Sequence, residues 1–187
     1  MIRTLVLASS LLIASPISTA HAYNNPVTRG LADFLNIFST QAIPRQVVSW
    51  RKGYAPGTVV VSTSERRLYY VLGNGQAIQY GVGVGREGFS WSGTKSVSMK
   101  REWPDWRPPA QMLKRRPDLP RHMEGGIDNP LGARAIYLGS SLYRIHGSNE
   151  PDTIGAAVSS GCIRMTNRDV TDLYDRVKVG SKVIVMR

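Results

Sequence analysis

Seven short runs of strand-forming residues occupy the chain from Thr58 onward, and they constrain its fold more than any other feature. These runs are rich in Val, Ile and Tyr, and turn residues such as Gly73-Asn74-Gly75 separate them. The predicted strands are Thr58–Ser62, Arg67–Leu72, Gln76–Val84, Lys95–Lys100, Ala133–Leu138, Leu142–Ile145 and Lys182–Met186. Many short strands with few helices indicate a mainly β protein with a sandwich-like or barrel-like core.

Two segments of this region are predicted to be short helices. The first begins at Pro109, which is suited to the first turn of a helix, and reaches Leu113. The second covers residues 168–177, with Thr166 or Asn167 as its N-cap and Asp169 in its first turn. The sequence therefore predicts one or two short helices beside the strands.

The N-terminus has the order of features that is typical of a secretory signal peptide. Arg3 precedes an apolar run from Leu5 to Ala14, and Ala20-His21-Ala22 forms a small-residue cleavage site. We therefore expect residues 1–22 to be removed and the mature protein to be periplasmic or otherwise exported to the cell envelope. A membrane anchor is the alternative, although the apolar run is short for a membrane span.

Residues 23–56 are predicted to be a lead-in to the main domain. A short amphipathic helix is expected there, with Thr28 as its N-cap, because four apolar residues follow helical spacing: Leu31, Phe34, Leu35 and Phe38. Ala55-Pro56-Gly57 then marks a turn and the expected start of the main domain, residues 57–187.

A proline-rich insertion over residues 101–132 interrupts the strands. It contains six of the eleven prolines, two tryptophans (Trp103 and Trp106) and the basic cluster Lys114-Arg115-Arg116. Long irregular segments in compact domains are often lids or binding loops, which is the role that we expect here. The alternative is a surface excursion whose tryptophans fill a small satellite core.

The chain is strongly basic, with a formal net charge of +11 that falls to about +10 once Arg3 leaves with the signal peptide. Such a charge favours anionic partners, including nucleic acid, lipid surfaces or an acidic cell-wall polymer. Export argues against nucleic acid, and the basic residues are not interleaved with aromatic residues as in RNA-binding proteins. A generally solvated basic surface is the alternative reading.

The chain has one cysteine, Cys162, sixteen positions after His146. A single cysteine cannot form an intramolecular disulfide, so in an oxidising compartment it is expected either to be buried or to have a chemical role. Cys162 follows the small-residue turn Ser159-Ser160-Gly161, and His146 ends a predicted strand. An adjacent imidazole and backbone amides are what a thiol needs to attack a carbonyl, so these residues suit acyl transfer through a thioester.

Other chemistries fit the sequence less well. The mature chain offers only His122, His146 and Cys162 as borderline or soft metal ligands, and they lack zinc spacing, so no metal or cofactor is expected. His122 is the other candidate base, but it lies in the insertion. The glycine-rich run Gly81–Gly85 is not followed by a predicted helix, so a bulged or closely packed strand is preferred over a nucleotide site.

Several of these segments together resemble the active-site signature of the L,D-transpeptidase (YkuD domain) family. The resemblance covers residues 57–187 and includes His146-Gly147-Ser148, Ile154-Gly155, Ser159-Ser160-Gly161-Cys162-Ile163-Arg164-Met165-Thr166-Asn167 and Asp169-Val170. Supporting motifs are Pro56-Gly57-Thr58, Gly81-Val82-Gly83 and Asn129-Pro130-Leu131-Gly132. The resemblance implies a β-sandwich-like catalytic domain that remodels peptidoglycan.

The resemblance also implies roles for individual residues. Cys162 would attack the L-centre carbonyl of the third residue of a donor tetrapeptide stem and expel D-alanine. His146 would be the base, oriented by the Gly147 carbonyl, and amides near Gly161 and Cys162 would form the oxyanion hole. Arg164 would either bind a substrate carboxylate or brace the loop. The remaining expected substrate contacts are Ser159, Ser160, Trp103 and Trp106.

One position departs from the family pattern, because Ser160 stands where many members have His. This puts any contribution of a second histidine in doubt. The acceptor is also open: a stem peptide amine gives a 3→3 cross-link, an envelope protein gives wall attachment, and water gives a thiol L,D-carboxypeptidase. A non-enzymatic basic wall-binding module is the remaining alternative. We expect peptidoglycan stem peptides as partners and a monomeric protein.

Overall fold

The structure of the protein is a computed structural model that describes residues 43–187. The predicted signal peptide, residues 1–22, and the predicted helix around Leu31 and Phe38 lie outside the described residues. Within residues 43–187, no helix has the length and apolar character needed to cross a membrane.

The described region contains eleven strands, two α-helices and one 3₁₀ turn, which confirms the mainly β prediction. In chain order they are β1 (Gln46–Ser49), β2 (Val59–Ser62), β3 (Arg67–Gly73), β4 (Gln76–Gly81), β5 (Val84–Gly85), β6 (Gly93–Glu102), α1 (Ala110–Arg115), β7 (Arg134–Leu138), β8 (Arg144–His146), the 3₁₀ turn (Pro151–Thr153), β9 (Ala157–Ser159), β10 (Ile163–Arg164), α2 (Asn167–Arg176) and β11 (Lys182–Met186).

Nine strands form one continuous sheet in the order β1-β4-β3-β2-β11-β6-β7-β8-β10, and β5 pairs separately with β9. Strand β6 connects the two halves of the large sheet, since its first part pairs with β11 and its second part with β7. The register of β6 shifts between Val97 and Met99. A bulge of this kind bends a strand, which allows the two halves to face each other.

The main hydrophobic core lies between these two halves. One half contributes alternating residues of β2 and β11, such as Val61 and Val183, and the other half contributes Ile136 and Ile145. All four side chains are fully buried. Leu173 of α2 joins the same core. Because both halves and a helix contribute to one core, the sandwich-like arrangement follows from the period-two burial of the strands.

A second, smaller core covers the opposite face of the sheet. It contains Trp50, Val60, Val71 and Ala77. Strand β2 is therefore buried on both faces, which explains its uninterrupted run of valines. Trp50 directly follows β1, so the lead-in contributes to the folded sheet as well as preceding it.

Several strand boundaries differ from the sequence-based predictions. Strands β1, β9 and β10 were not predicted, and the run predicted as Gln76–Val84 divides at Gly81 into β4 and β5. Strand β8 begins at Arg144, two residues later than predicted, and includes His146. Strands β1, β9 and β10 have only two to four residues and lack the long valine run of β2, so they do not stand out from loops in the sequence.

The start of helix α2 is held by two different side chains. Thr166 is the N-cap, and its hydroxyl oxygen accepts a hydrogen bond from the Asp169 N–H at 3.1 Å. Asn167, the other predicted cap, is fully buried and instead bridges two loops. Its Oδ1 accepts from the Ala133 N–H at 2.8 Å, and its Nδ2 donates to the Ser148 carbonyl at 3.1 Å. Asn167 therefore ties α2 to the loop that follows His146.

We expect Asn167→Ala to lower the free energy of unfolding by about 2–4 kcal/mol, because it leaves a buried N–H and a buried carbonyl without partners. Urea unfolding of the variant and the parent measures this difference. Asn149→Ala is the control, since it removes one hydrogen bond, to the Asp128 carbonyl, nearer the surface. Equal losses in the two variants would contradict the bridging role of Asn167.

Candidate active site

The parallel pairing of β8 with β10 places the two expected reactive side chains. Ile163 lies opposite Ile145, and Arg164 lies opposite His146. Both isoleucines are buried in the core, so their chain neighbours point to the other face. Cys162 directly precedes β10 and therefore shares this face with His146 and Arg164.

Cys162 and His146 line the same cavity, which has a volume of about 680 Å³. Four other expected site residues also line it: Ser159, Ser160, Arg164 and Trp106. Gly147, Gly161 and Trp103 do not contribute to the lining. Most of the residues singled out from the sequence are thus brought together on one concave surface.

His146 is held as a neutral base. Its Nδ1 lies 2.6 Å from the Gly147 carbonyl oxygen and must donate to it, because a carbonyl only accepts. The Nε2 atom is therefore left as an acceptor. Burial lowers the pKa of His146 to about 3; the Gly147 hydrogen bond opposes this shift, and the charges of Arg164 and Arg144 add to it. At neutral pH the imidazole is uncharged and able to accept a proton.

The Cys162 thiol is also held in its neutral form. Its side chain is half-buried, and Sγ lies 3.8 Å from the Leu142 carbonyl. Burial raises the pKa of the thiol, while the backbone and side chain of Arg144 and the charge of Arg164 act in the opposite direction. In the resting state, a neutral thiol and a neutral imidazole therefore line the same cavity.

Ser159 organises the turn that carries the cysteine. Its hydroxyl accepts a hydrogen bond from the Gly161 N–H at 3.0 Å and donates to the Cys162 carbonyl at 2.6 Å. The Gly161 amide is therefore already bonded within the turn, which differs from its expected place in an oxyanion hole. Within residues 43–187, no acceptor is found for the Cys162 N–H, so this amide is the better candidate.

The turn also requires glycine at position 161 and is supported from outside. Gly161 has a φ of 105°, and a Cβ there would lie 2.5 Å from Tyr143. The Trp91 indole N–H donates to the Gly161 carbonyl at 2.7 Å, and its ring stacks on Tyr143 with centroids 4.6 Å apart. Trp91 was not identified from the sequence.

The proline-rich insertion folds against the cavity. Trp106 is 8% exposed and exchanges two backbone hydrogen bonds with Met123, at 2.8 and 2.9 Å. Met112 and Arg115 of α1 line the cavity alongside Trp106. Trp103 lies outside it, in a positive-φ conformation with its carbonyl packed against Gly125. The insertion therefore supplies part of the wall around Cys162.

His122, the other candidate base, does not line the cavity. It is exposed, and its Nε2 lies 3.1 Å from an Asp105 carboxylate oxygen. That contact lowers the pKa of Asp105. The geometry therefore supports His146 over His122 as the partner of Cys162.

Two arginines that the sequence analysis did not identify, Arg86 and Arg144, line the cavity, together with Arg115 of the basic cluster in the insertion. Arg86 donates to the Ser160 hydroxyl at 3.2 Å, so this arginine contacts the serine that replaces the family histidine. Arg86 and Arg115 both lie over the Phe89 ring, at 4.1 and 5.5 Å from its centroid. The sequence signal for Arg144 was its alternation with His146 along one strand, and that for Arg115 was the basic cluster of the insertion. Arg86 had no such signal.

The glycine-rich run packs tightly against other backbone segments. A Cβ on Gly83 would lie 2.9 Å from the Thr153 carbonyl oxygen, and one on Gly85 would lie 2.5 Å from that of Phe89. Strand β5, and no helix, occupies the end of this run. Close packing therefore accounts for these glycines, as the sequence analysis preferred.

The fold and the cavity together define a mainly β domain with a cysteine–histidine candidate active site. The chain belongs to the L,D-transpeptidase catalytic domain family, since the YkuD family model matches residues 56–185. The probable L,D-transpeptidase ErfK/SrfK of Escherichia coli is 38% identical over 160 residues, which cover 79% of this chain and 49% of the relative. The chain thus spans about half the length of the curated relatives it matches.

Solved structures agree on the fold. An L,D-transpeptidase from Mycobacterium smegmatis superposes with a TM-score of 0.56 at 19% identity. The match covers 70% of this chain and 58% of the Mycobacterium smegmatis chain. A structure from Brucella melitensis is 42% identical, with a TM-score of 0.53. The match covers 81% of this chain and 98% of the Brucella melitensis chain. That structure is described as a probable carnitine operon oxidoreductase.

The neutral His146 predicts a specific loss of stability in acid. The unfolded histidine binds a proton near pH 6.5, whereas the folded one does so only near pH 3, so acidification below pH 6.5 favours the unfolded state. From pH 6.5 to 5 the parent should lose up to about 2 kcal/mol more than His146→Asn, at about 1.4 kcal/mol per pH unit. Urea unfolding at pH 7, 6 and 5 measures this difference. Parallel losses in both proteins would show that His146 is protonated equally in the two states.

Proposed function

We propose that the protein is a peptidoglycan L,D-transpeptidase in which Cys162 is the nucleophile and His146 its base. The observation that carries the proposal is the shared cavity, which is lined by the single thiol and by a neutral imidazole whose Nδ1 donates to the Gly147 carbonyl, so that Nε2 is the acceptor atom. The family membership supports the reaction class. A purely wall-binding module would not need this pairing.

In the proposed first step, the Sγ–H bond breaks, its proton passes to Nε2 of His146, and sulfur attacks the carbonyl of the L-centre at the third residue of a donor tetrapeptide. The Cys162 N–H is the candidate donor to the oxyanion. Collapse of this intermediate releases D-alanine, whose amine takes the proton from His146. An amine acceptor then attacks the thioester carbonyl and gives its proton to His146, the C–S bond breaks, and the Cys162 sulfur takes the proton back. The product is a 3→3 cross-link or a bond to an envelope protein.

The charge of the cavity suits an anionic substrate. Arg86, Arg115, Arg116, Arg144 and Arg164 line it, against a single carboxylate, Glu150, as far as residues 43–187 are concerned. Arg164 donates to Glu150 at 2.9 Å, and Arg116 binds Asp118, so these two charges are largely neutralised. The remaining arginines favour a peptide stem with free carboxylates. Arg164 fits the loop-bracing role better than direct carboxylate binding.

We further propose that the insertion, residues 101–132, acts as a lid over the bound stem. Trp106 and α1 already line the cavity, and their contacts with the rest of the domain include Arg115 over Phe89. We propose in addition that residues 1–22 are removed and that the mature protein lies in the cell envelope, because its proposed substrate, peptidoglycan, lies in the envelope. We also propose that the protein is a monomer and that its acceptor is an amine of a stem peptide or of an envelope protein.

Purified mature protein, incubated with a disaccharide tetrapeptide, should release D-alanine and form 3→3 dimers that mass spectrometry detects. Cys162→Ala should abolish both products, and His146→Asn should lower the rate by at least about 100-fold, the usual contribution of a general base. His122→Asn is the matched control and should retain the parent rate. Tripeptide without dimers would indicate a carboxypeptidase. Unchanged substrate, with the thiol reactive, would contradict the proposed function.

A further inference from the structure

Arg144 lies beside Cys162 in the ladder formed by β8 and β10. Because Ile145 pairs with Ile163 in parallel, the residue before each, Arg144 and Cys162, stand next to each other on the cavity side. Both line the cavity, and the backbone N–H and the side chain of Arg144 both face the sulfur. The arrangement puts a fixed positive charge against the candidate nucleophile.

The guanidinium of Arg144 is held in place and retains unused hydrogen-bonding capacity. Its central carbon lies 5.0 Å from the centroid of the Tyr137 ring, which orients it without neutralising it. Its Nε is buried and, within the described part of the chain, has no hydrogen-bond partner. A neutral thiol is a weak acceptor, whereas a thiolate is a strong one. Ionisation of Cys162 would therefore place an anion next to an unsatisfied cation.

His146 is poorly suited to provide this charge. It is buried, and Arg164 and Arg144 both disfavour its protonated form. Arg164 is itself paired with Glu150. The other charged groups of the cavity are Arg86 and Arg115, which lie on Phe89, and Arg116, which binds Asp118. Arg144 is thus the cation next to Cys162 that has no acidic partner among residues 43–187.

We propose that the Arg144 guanidinium, rather than a histidine imidazolium, stabilises the thiolate of Cys162. When the Sγ–H bond breaks, the electron pair stays on sulfur beside Arg144, and the proton occupies His146 Nε2 only until the departing amine takes it. This inference rests on the proposed function only in taking Cys162 as the nucleophile. Arg144 acts here on the reacting sulfur itself.

Alkylation of Cys162 by iodoacetamide tests the proposal, because the chain contains one cysteine and intact mass then reports that residue alone. At pH 8 the thiol is mostly protonated, so the rate follows the ionised fraction. When the thiol pKa rises by one unit, the thiolate fraction falls about tenfold, but each thiolate becomes more nucleophilic. The net alkylation rate therefore falls about threefold. We expect Arg144→Met to react at least threefold more slowly than the parent.

Three further variants separate charge from other effects. Arg144→Lys keeps the charge and should react within twofold of the parent. Arg101→Met removes an exposed arginine that does not line the cavity and should leave the rate unchanged. His146→Asn should slow alkylation less than Arg144→Met. If Arg144→Met does not show the thermal unfolding curve of a folded protein, Arg144→Gln takes its place with the same expected rate.

Parent-like alkylation of the neutral variants would overturn the proposal, as would an Arg144→Lys variant that is as slow as Arg144→Met. A larger effect of His146→Asn would assign the stabilising charge to the imidazolium instead. The outcome does not depend on the natural substrate. A parent that is alkylated readily but never releases D-alanine would contradict the proposed function and leave the role of Arg144 intact.

Discussion

The parallel contact between β8 and β10 is the constraint on which the rest of the site depends. These strands have three and two residues, so they cannot hold their register alone. Ile145 and Ile163 fix it, because both must be buried in the core, and a slip of one residue would turn them to the cavity. The core packing therefore determines that Cys162, His146 and Arg164 face the same cavity.

Burial has opposite consequences for the two candidate reactive groups. It lowers the pKa of the His146 imidazole and raises the pKa of the Cys162 thiol, so both favour their neutral forms. A preformed thiolate–imidazolium pair is not the state that this environment supports. Such a site would keep the Cys162 thiol weakly reactive until a bound substrate changes its surroundings.

The sequence predicted the longer strands, such as Lys182–Met186, from their alternation over five or more residues, and it predicted β2 from its run of valines. It also singled out Cys162 and His146 as candidates, and the family resemblance implied the contact of His146 with the Gly147 carbonyl that the structure contains. It did not predict β10, which is two residues long, or Arg86, and it did not predict that Arg86 and Arg115 approach Phe89 from distant segments. Long-range contacts of this kind leave no periodic signal in the chain.

The way in which the cavity arginines are held decides what the cavity can attract. Arg164 and Arg116 have carboxylate partners, so they add rigidity but contribute little to the positive electrostatic potential of the cavity. Arg86, Arg115 and Arg144 lie on aromatic rings instead, and an aromatic ring orients a guanidinium while leaving its charge intact. Because two of these arginines share Phe89, the insertion and the serine turn before Cys162 converge on one ring. An anion that draws Arg115 inward would therefore act on the wall of the cavity and on the loop of the nucleophile together.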